Sequence, residues 1–264
     1  MDAYRIAYDG RPYHGFQRQP DVPTVEDALF DALRDLDILS SDAPPGYAAA
    51  GRTDAGVSAV AQTVAFDAPD WLSPAAFNGE LPASVRAWAR ADTPAGFHAT
   101  HHATAREYVY YLYAPDIDAE RARTALDALR GERDFHNLTP DDEGTVRDLS
   151  ASMAVDGDYL VLTFRAGGFA RQLVRRLVSL VRAVATGEAA TEKIERVLAP
   201  DPLPGHEGVP PAPAYPLVLV DAEYPDLAFA VDEEAAASAR AVFGGKQAEW
   251  RARARVAEEI TDRL

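Results

Sequence analysis

The sequence predicts a fold of mixed β-strands and α-helices that can bury a sizeable core. Segments with alternating apolar residues are interleaved with segments whose apolar residues recur every three or four positions, which are the periods of strands and helices. The turn DGD at residues 156–158 separates two strand-like segments and predicts a hairpin. With 264 residues, 47% of them hydrophobic, the chain is long enough for one large domain or two small ones.

The predicted strands include one that carries several tyrosines. They are residues 4–8, 46–50, 62–66, 85–90, 106–113, 146–155, 159–164 and 217–221. In the fifth of these, Tyr108 and Tyr110 share a face with Arg106. The loop after the first strand, residues 9–20, is rich in Gly, Pro, Arg, aromatic and amide side chains. That composition suits contacts with bases and phosphates, although an ordinary glycine-rich connection has it too.

The predicted helices include one strongly basic segment. The helices are residues 25–36, 74–80, 119–130, 169–182, 194–198 and 233–258, the last broken by two glycines at 244 and 245. Thr24 followed by Asp27 predicts a capping box before the first helix. If the fourth helix begins at Phe169, Arg171 and Arg175 lie one turn apart on a shared face beside an apolar stripe. A solvated helix face is the ordinary alternative.

The charge of the chain is unusual. It has 26 basic and 42 acidic side chains, a formal net charge of -16, and only two lysines. Such an acidic surface is typical of proteins from the cytoplasm of an extreme halophile. At 1 M salt the Debye length falls to about 3 Å, so repulsion between RNA and distant acidic groups is screened. RNA therefore stays a possible partner, provided that basic groups are gathered in one place. The chain has no cysteine, no apolar run of membrane-spanning length and no signal-peptide core at its start, so we expect a cytoplasmic protein.

The stretch GRTDAGV, residues 51–57, is the candidate catalytic site. It places the carboxylate of Asp54 near the guanidinium of Arg52, between two glycines that allow a tight turn and a close approach of ligand to backbone. A nearby arginine favours an ionised carboxylate, which can act as a nucleophile or a base. For a stretch of this kind taken by itself, a weak ion pair in a surface turn is the commoner structure, and the rest of the chain has to decide between the two.

Three histidines within residues 98–102 raise the question of a metal site. The chain has no cysteine, no HExxH helix and no carboxylate nearby at ligand spacing, so we predict structural or surface histidines and no metal. No dinucleotide-binding motif is present either, and we expect no cofactor.

Five motifs in order resemble the tRNA pseudouridine synthases of the TruA type. They are YDG with GFQ in residues 8–17, GRTDAGV at 51–57, FN…LP in 77–82, FHA…R-x-Y in 97–108, and FARQLVRR at 169–176. They cover most of residues 4–182. The chain departs from the family pattern at Ser58, where His is usual, at Thr100 and His101, where Arg and Phe are common, and at Leu173, which replaces Met with similar volume.

The resemblance implies an α+β fold of two ferredoxin-like halves, with a joined, mainly antiparallel sheet and a central basic cleft. We place the halves at residues 1–103 and 104–264. It also implies tRNA as the partner, a homodimer, no cofactor, and conversion of uridine to pseudouridine at positions 38–40 of the anticodon stem-loop.

The same resemblance assigns roles to individual residues. Asp54 is expected to be the nucleophile or base, held by Arg175; Arg52 to fill the place of the extruded nucleotide; and Tyr108 to stack on the flipped uracil. Further substrate contacts are expected from Gln17, Arg106, Phe169 and Arg171. Whether Asp54 attacks C1′, attacks C6 or takes the C2′ proton is open.

Two other functions are compatible with parts of the sequence. A catalytically silent RNA-binding relative would share the motifs, although the intact Asp54, Arg52 and Tyr108 argue against it. A carboxylate-dependent hydrolase would need a second acid at a recognisable spacing, which the sequence lacks.

Overall fold

The computed structural model describes residues 1–264 and shows an α+β fold around one ten-stranded sheet. The strands are β1 Asp2–Tyr8, β2 Ala48–Ala49, β3 Ser58–Phe66, β4 Val85–Asp92, β5 Ala105–Tyr113, β6 Gly131–Asp134, β7 Val146–Asp156, β8 Tyr159–Ala166, β9 Leu217–Glu223 and β10 Ala230–Val231. The helices are α1 Val25–Asp35, α2 Pro74–Glu80, α3 Ala119–Ala128, α4 Leu173–Thr186, α5 Glu192–Leu198 and α6 Glu233–Asp262. The sheet is mixed and mainly antiparallel, in the order β10-β4-β1-β3-β9-β5-β8-β7-β6, with β2 paired to β3.

The N-terminal part of the sheet is built on β1. All seven residues of β1 are buried, because it lies between β3 and β4. Helix α1 begins with the predicted capping box, in which the side chains of Thr24 and Asp27 each accept a hydrogen bond from the other's backbone N–H. Its apolar face, with Leu29 and Leu33, packs with Tyr4 and Phe77 in one core.

The C-terminal part pairs β5 with β8 and β9, and β8 with β7, all antiparallel. In β8 every second residue is buried, so one face of the strand packs beneath the helices. Leu126 of α3 and Leu177 of α4 meet Phe164 of β8 in the largest apolar core of the chain. The predicted hairpin at 156–158 is confirmed as the β7–β8 connection.

Strand β9 joins the two parts. It runs parallel to β3, where Ser58 faces Val218, and antiparallel to β5, where Tyr108 faces Leu219. The start of β3, which follows the GRTDAGV stretch, is thereby brought beside the tyrosine strand. The chain then returns to the N-terminal part, because β10 pairs with β4 and α6 packs against it.

Several predicted boundaries are wrong. Helix α4 begins at Leu173 rather than Phe169, because Gln172 adopts a left-handed conformation with φ of 62°. Helix α6 continues through Gly244 and Gly245 instead of breaking there. The predicted strand 46–50 is reduced to Ala48–Ala49, and the predicted loop 134–138 contains the end of β6 and a 3-10 turn, His136–Leu138.

None of the helices combines the length and the apolar character needed to cross a membrane.

Candidate active site

The GRTDAGV stretch forms a turn that is held by hydrogen bonds to the buried core and within its own backbone. The hydroxyl groups of Tyr8 and Thr53 lie 2.8 Å apart in the core. Gly56 has φ of 80°, a conformation that side-chain-bearing residues rarely adopt, and the N–H of Val57 donates to the carbonyl of Asp54 at 3.1 Å. These contacts fix the backbone on both sides of the Asp54 side chain.

The loop after β1 encloses this turn. The N–H of Phe16 donates to the carbonyl of Thr53 at 3.1 Å, and the N–H of Gly56 donates to the carbonyl of Tyr13 at 3.2 Å. Gln62 on β3 donates from its amide to the carbonyl of Gly51 at 2.8 Å. The turn is therefore bonded to the neighbouring chain segments through its backbone, and the side chains of Arg52 and Asp54 line the cleft.

Asp54 forms an ion pair with Arg175 from the first turn of α4. Arg175 Nη1 lies 3.0 Å from Asp54 Oδ2, and Arg175 Nε donates to the carbonyl of Ala212 at 2.7 Å. The exposed fractions of the two side chains are 16% for Arg175 and 28% for Asp54. Asp54 Oδ1 has no hydrogen-bond partner within the chain, so one carboxylate oxygen remains available to a reacting group.

Tyr108 of β5 lies in the wall of the same cleft. Its ring contacts Phe169 edge to face, with the ring centroids 5.3 Å apart. Burial, and secondarily the charge of Asp54, raise the pKa of the Tyr108 hydroxyl well above its usual value. The raised pKa favours the neutral hydroxyl over the phenolate.

Arg106 is engaged entirely with the main chain. Its guanidinium donates five hydrogen bonds to four backbone carbonyls, those of Ala50, Thr100, Ala103 and Gly167. It thereby ties the start of the GRTDAGV turn to the segments before β5 and α4. The predicted substrate contact by Arg106 would require one of these hydrogen bonds to break.

Arg171 is placed differently from the sequence prediction. It precedes α4, so it does not share a helical face with Arg175. Its Nε lies 3.2 Å from Asp141 Oδ1, and its backbone N–H donates to Asp141 Oδ2 at 2.8 Å. Its side chain is 60% exposed at the cleft and can still reach a ligand.

Gln17 and Arg52 are exposed residues of the same cleft. The Arg52 side chain makes neither an ion pair nor a hydrogen bond within the chain. It is thus an uncommitted cation two residues from Asp54. Phe169 is half-buried at the cleft, against Tyr108.

The cleft as a whole is basic, although the chain is acidic. Its volume is about 1100 Å³. Six arginines line it, against four acidic residues; the basic set is Arg18, Arg52, Arg106, Arg147, Arg171 and Arg175, and the acidic set is Glu26, Asp42, Asp54 and Asp141. The chain overall has 26 basic and 42 acidic residues, so positive charge is concentrated here.

Sequence reasoning did not single out Arg18 and Arg147 as cleft residues. Arg18 lies within the loop 9–20, whose composition suits contacts with bases and phosphates. That composition could have indicated Arg18 as a cleft residue. Arg147 lies on β7, where nothing in the sequence distinguishes it from other surface arginines.

The three histidines do not form a metal site. The rings of His98 and His101 lie 4.2 Å apart, and the N–H of His98 donates to His102 Nδ1 at 2.9 Å. No group of three or more His, Asp or Glu side chains in the chain is arranged to hold a metal ion. Thr100, where the resembled family commonly has Arg, donates to the carbonyl of Ala49 at 2.6 Å.

The chain is similar to known tRNA pseudouridine synthases. Residues 125–225 match the family model described as tRNA pseudouridine synthase. The chain is 58% identical to tRNA pseudouridine synthase A of Haloarcula marismortui over 100% of both chains. It is 60% identical to the protein of that name from Halobacterium salinarum, covering 98% of this chain and 97% of the relative. It is 37% identical to that from Methanosarcina mazei, covering 84% of each.

Among solved structures, the chain matches one in the crystal structure of the archaeal box H/ACA sRNP Nop10-Cbf5 complex at a TM-score of 0.36 and 14% identity, over 69% of this chain and 44% of that chain. This likeness is too low to assign the fold, which rests on the strand order described above. The identities of 58% and 60% over nearly the whole length decide the family. The chain belongs to the tRNA pseudouridine synthase A family, the TruA family.

Proposed function

We propose that this chain converts uridine to pseudouridine in the anticodon stem-loop of tRNA, at positions 38–40. The observation that carries the proposal is the Asp54 carboxylate. One of its oxygens is held by Arg175 and the other is free, in a basic cleft of about 1100 Å³. Family membership supplies the reaction type, and the site has the groups that the reaction needs.

The reaction breaks the N1–C1′ bond, turns the uracil, and joins C5 to C1′; C5 loses its proton and N1 gains one, so uridine and product are isomers. No electrons are gained or lost. Asp54 acts as a nucleophile or base through its free Oδ1, toward the sugar or toward the uracil ring. Arg175 holds the carboxylate in a fixed orientation, because its Nε is itself bonded to the carbonyl of Ala212.

The target uridine has to leave the stacked stem before Asp54 can reach it. The uncommitted Arg52 is suited to fill the space of the extruded nucleotide and to contact its phosphates. Tyr108, braced by Phe169, offers a ring on which the uracil stacks. Gln17 and Arg171 at the rim are suited to contacts with the flanking RNA.

The proposed architecture is two ferredoxin-like halves, residues 1–103 and 104–264. The strand orders β4-β1-β3-β2 and β9-β5-β8-β7, each with its two helices, support it. The proposal also includes a homodimer that grips one tRNA, in the cytoplasm. The segment of α6 and β10 is counted with the C-terminal half by sequence, although it packs on the N-terminal sheet.

The test is tritium release from tRNA labelled at uridine C5, assayed in molar salt. Anticodon stem-loops in which position 38, 39 or 40 alone is uridine identify the target. Release from at least one of them supports the proposal. Tight binding in a gel shift without release would instead indicate a catalytically silent RNA-binding relative, and hydrolysis without base rearrangement a different enzyme.

A further inference from the structure

The C-terminal helix α6 reaches the loop that encloses the catalytic turn. Its first turns pack on the sheet through Ala235 and Ala239, and further along Lys246 Nζ lies 2.7 Å from Asp9 Oδ2. One turn later, Trp250 stacks against the guanidinium of Arg11, with 3.5 Å between the Trp250 ring centroid and Arg11 Cζ. Lys246 and Trp250 of α6 therefore hold Asp9 and Arg11 of one loop. The two members of the ion pair, Lys246 and Asp9, are 237 residues apart in sequence.

Asp9 is the most enclosed member of this contact, with 6% of its side chain exposed. Its Oδ1 accepts from Arg11 Nε at 2.9 Å, and its Oδ2 accepts from Arg11 Nη2 at 2.9 Å and from Lys246. Burial by itself would raise the pKa of Asp9. The hydrogen bonds from Arg11 and Lys246 outweigh this effect and lower the pKa to about 2. A carboxylate so buried depends on both cations, because losing one partner of a buried pair is costly.

The residues that follow Asp9 contact the catalytic turn directly. The N–H of Gly10 donates to Ser58 Oγ at 3.1 Å, and Gly10 lies so close to Val57 that a Cβ would overlap the Val57 carbonyl. Farther along the loop, Tyr13 accepts from Gly56 and Phe16 donates to Thr53. The loop between Asp9 and Phe16 thus holds the turn at Thr53, Gly56 and Val57, on both sides of Asp54.

We propose that Lys246 is a positioning residue for the catalytic turn: by holding Asp9 it fixes the loop that orients Asp54. Lys246 does not line the cleft and touches no reacting group, so it acts only through the loop. This inference rests on the proposed pseudouridine synthase activity.

The chain provides a matched control. Lys193, the only other lysine, also pairs with a carboxylate, Glu207, at 3.5 Å, and its exposed fraction of 20% is close to the 23% of Lys246. It lies outside the cleft. Lys246→Met and Lys193→Met therefore remove the same charge from similarly exposed lysines, only one of which is linked through its carboxylate partner to the turn that carries Asp54.

The experiment compares single-turnover tritium release, KM for tRNA and amide hydrogen exchange in wild type, both Met variants and Lys246→Arg. We expect Lys246→Met to lower kcat by about 10- to 100-fold with KM unchanged, because small displacements of a catalytic group have effects of this size. The amides of Phe16 and Gly56 should exchange faster in this variant, while amides of the central strands keep their protection. Lys246→Arg should recover most of the lost kcat, and Lys193→Met should behave as wild type.

Two results would overturn the inference. In the first, Lys246→Met and Lys193→Met have the same kcat and the same exchange at Phe16 and Gly56. In the second, Lys246→Met raises KM and leaves kcat unchanged, which would make α6 an RNA-contacting element. Either result can be told from a failure of the proposed function, since in that case wild type itself would release no tritium.

Discussion

The ion pair between Asp54 and Arg175 predicts a defined loss of activity when Arg175 is replaced by Met. At the observed 3.0 Å and an effective dielectric constant of 20, the attraction between the two charges is about 5.5 kcal/mol. Both side chains are partly exposed, so water screens part of this, and their desolvation offsets a further part. The remainder is about 1.5–3 kcal/mol, the range of hydrogen bonds to charged groups. If all of it is expressed in the transition state, kcat falls by about 10- to 150-fold.

The assay is tritium release at saturating tRNA, with thermal unfolding measured in parallel. Arg182→Met is the control, because Arg182 lies on the same helix and pairs only with Glu188, where both partners are about half exposed. Arg175→Lys should fall between wild type and Arg175→Met, since lysine keeps the charge but has no Nε to bond the carbonyl of Ala212. A kcat for Arg175→Met within twofold of that for Arg182→Met would refute the reasoning.

Two further substitutions test the Tyr108 side chain that lines the cleft and the packing of Gly10 against Val57. Tyr108→Phe should keep kcat within about tenfold of wild type, because the ring stays in place and a π-face is what stacking requires; complete loss of tritium release would show that the hydroxyl takes part in proton transfer. Gly10→Ala should lower the free energy of unfolding by about 3 kcal/mol in a denaturant titration, since the new Cβ overlaps the carbonyl of Val57. Gly79→Ala in α2, where nothing lies within 4 Å, should raise it slightly, and equal effects of the two would contradict the close packing of the loop on the turn.

The sequence predicted local structure where a local signal decides it. The capping box at Thr24 and the hairpin at 156–158 formed as expected, because their causes lie within a few residues. The break expected at Gly244 and Gly245 did not occur. The helical cost of each glycine, about 1 kcal/mol, is outweighed by the long Ala- and Arg-rich run and by its ion pairs at helical spacing.

The start of α4 could not be predicted from its own residues. Gln172 takes a left-handed conformation without a capping side chain, and no sequence signal for helix starts marks such a residue. The consequence reaches the site, because Arg171 is thereby turned toward Asp141 and away from the face of Arg175.

Long-range pairing also lay beyond the sequence. Residues 217–221 were recognisable as a buried strand, but nothing local indicated that β9 would lie between β3 and β5 and join the two parts of the sheet. The contact between Asp54 and Arg175 spans 121 residues and was expected only through the family resemblance. The contact of Lys246 with Asp9 was not expected from the sequence. The chain has only two lysines, which distinguished Lys246 from the other basic residues but did not indicate its partner.

The relatives at 58% and 60% identity are halophilic homologues, which agrees with the halophile expectation drawn from the acidic composition of this chain. At molar salt, repulsion between RNA and the distant acidic surface is screened within about 3 Å. Direct contacts in the arginine-lined cleft are screened less, because they lie within that distance. The basic residues of the cleft are therefore compatible with the proposed binding of tRNA by a chain of net charge -16.

The most direct test of the central claim is tritium release by Asp54→Asn, measured beside tRNA binding in a gel shift at molar salt. Asparagine keeps the size of the side chain but can act neither as a nucleophile nor as a base. We predict a loss of turnover of more than about 10⁴-fold, the scale seen when a nucleophile is removed, with binding unchanged. Turnover close to that of wild type, from protein that binds tRNA normally, would contradict the assignment of Asp54 as the catalytic residue.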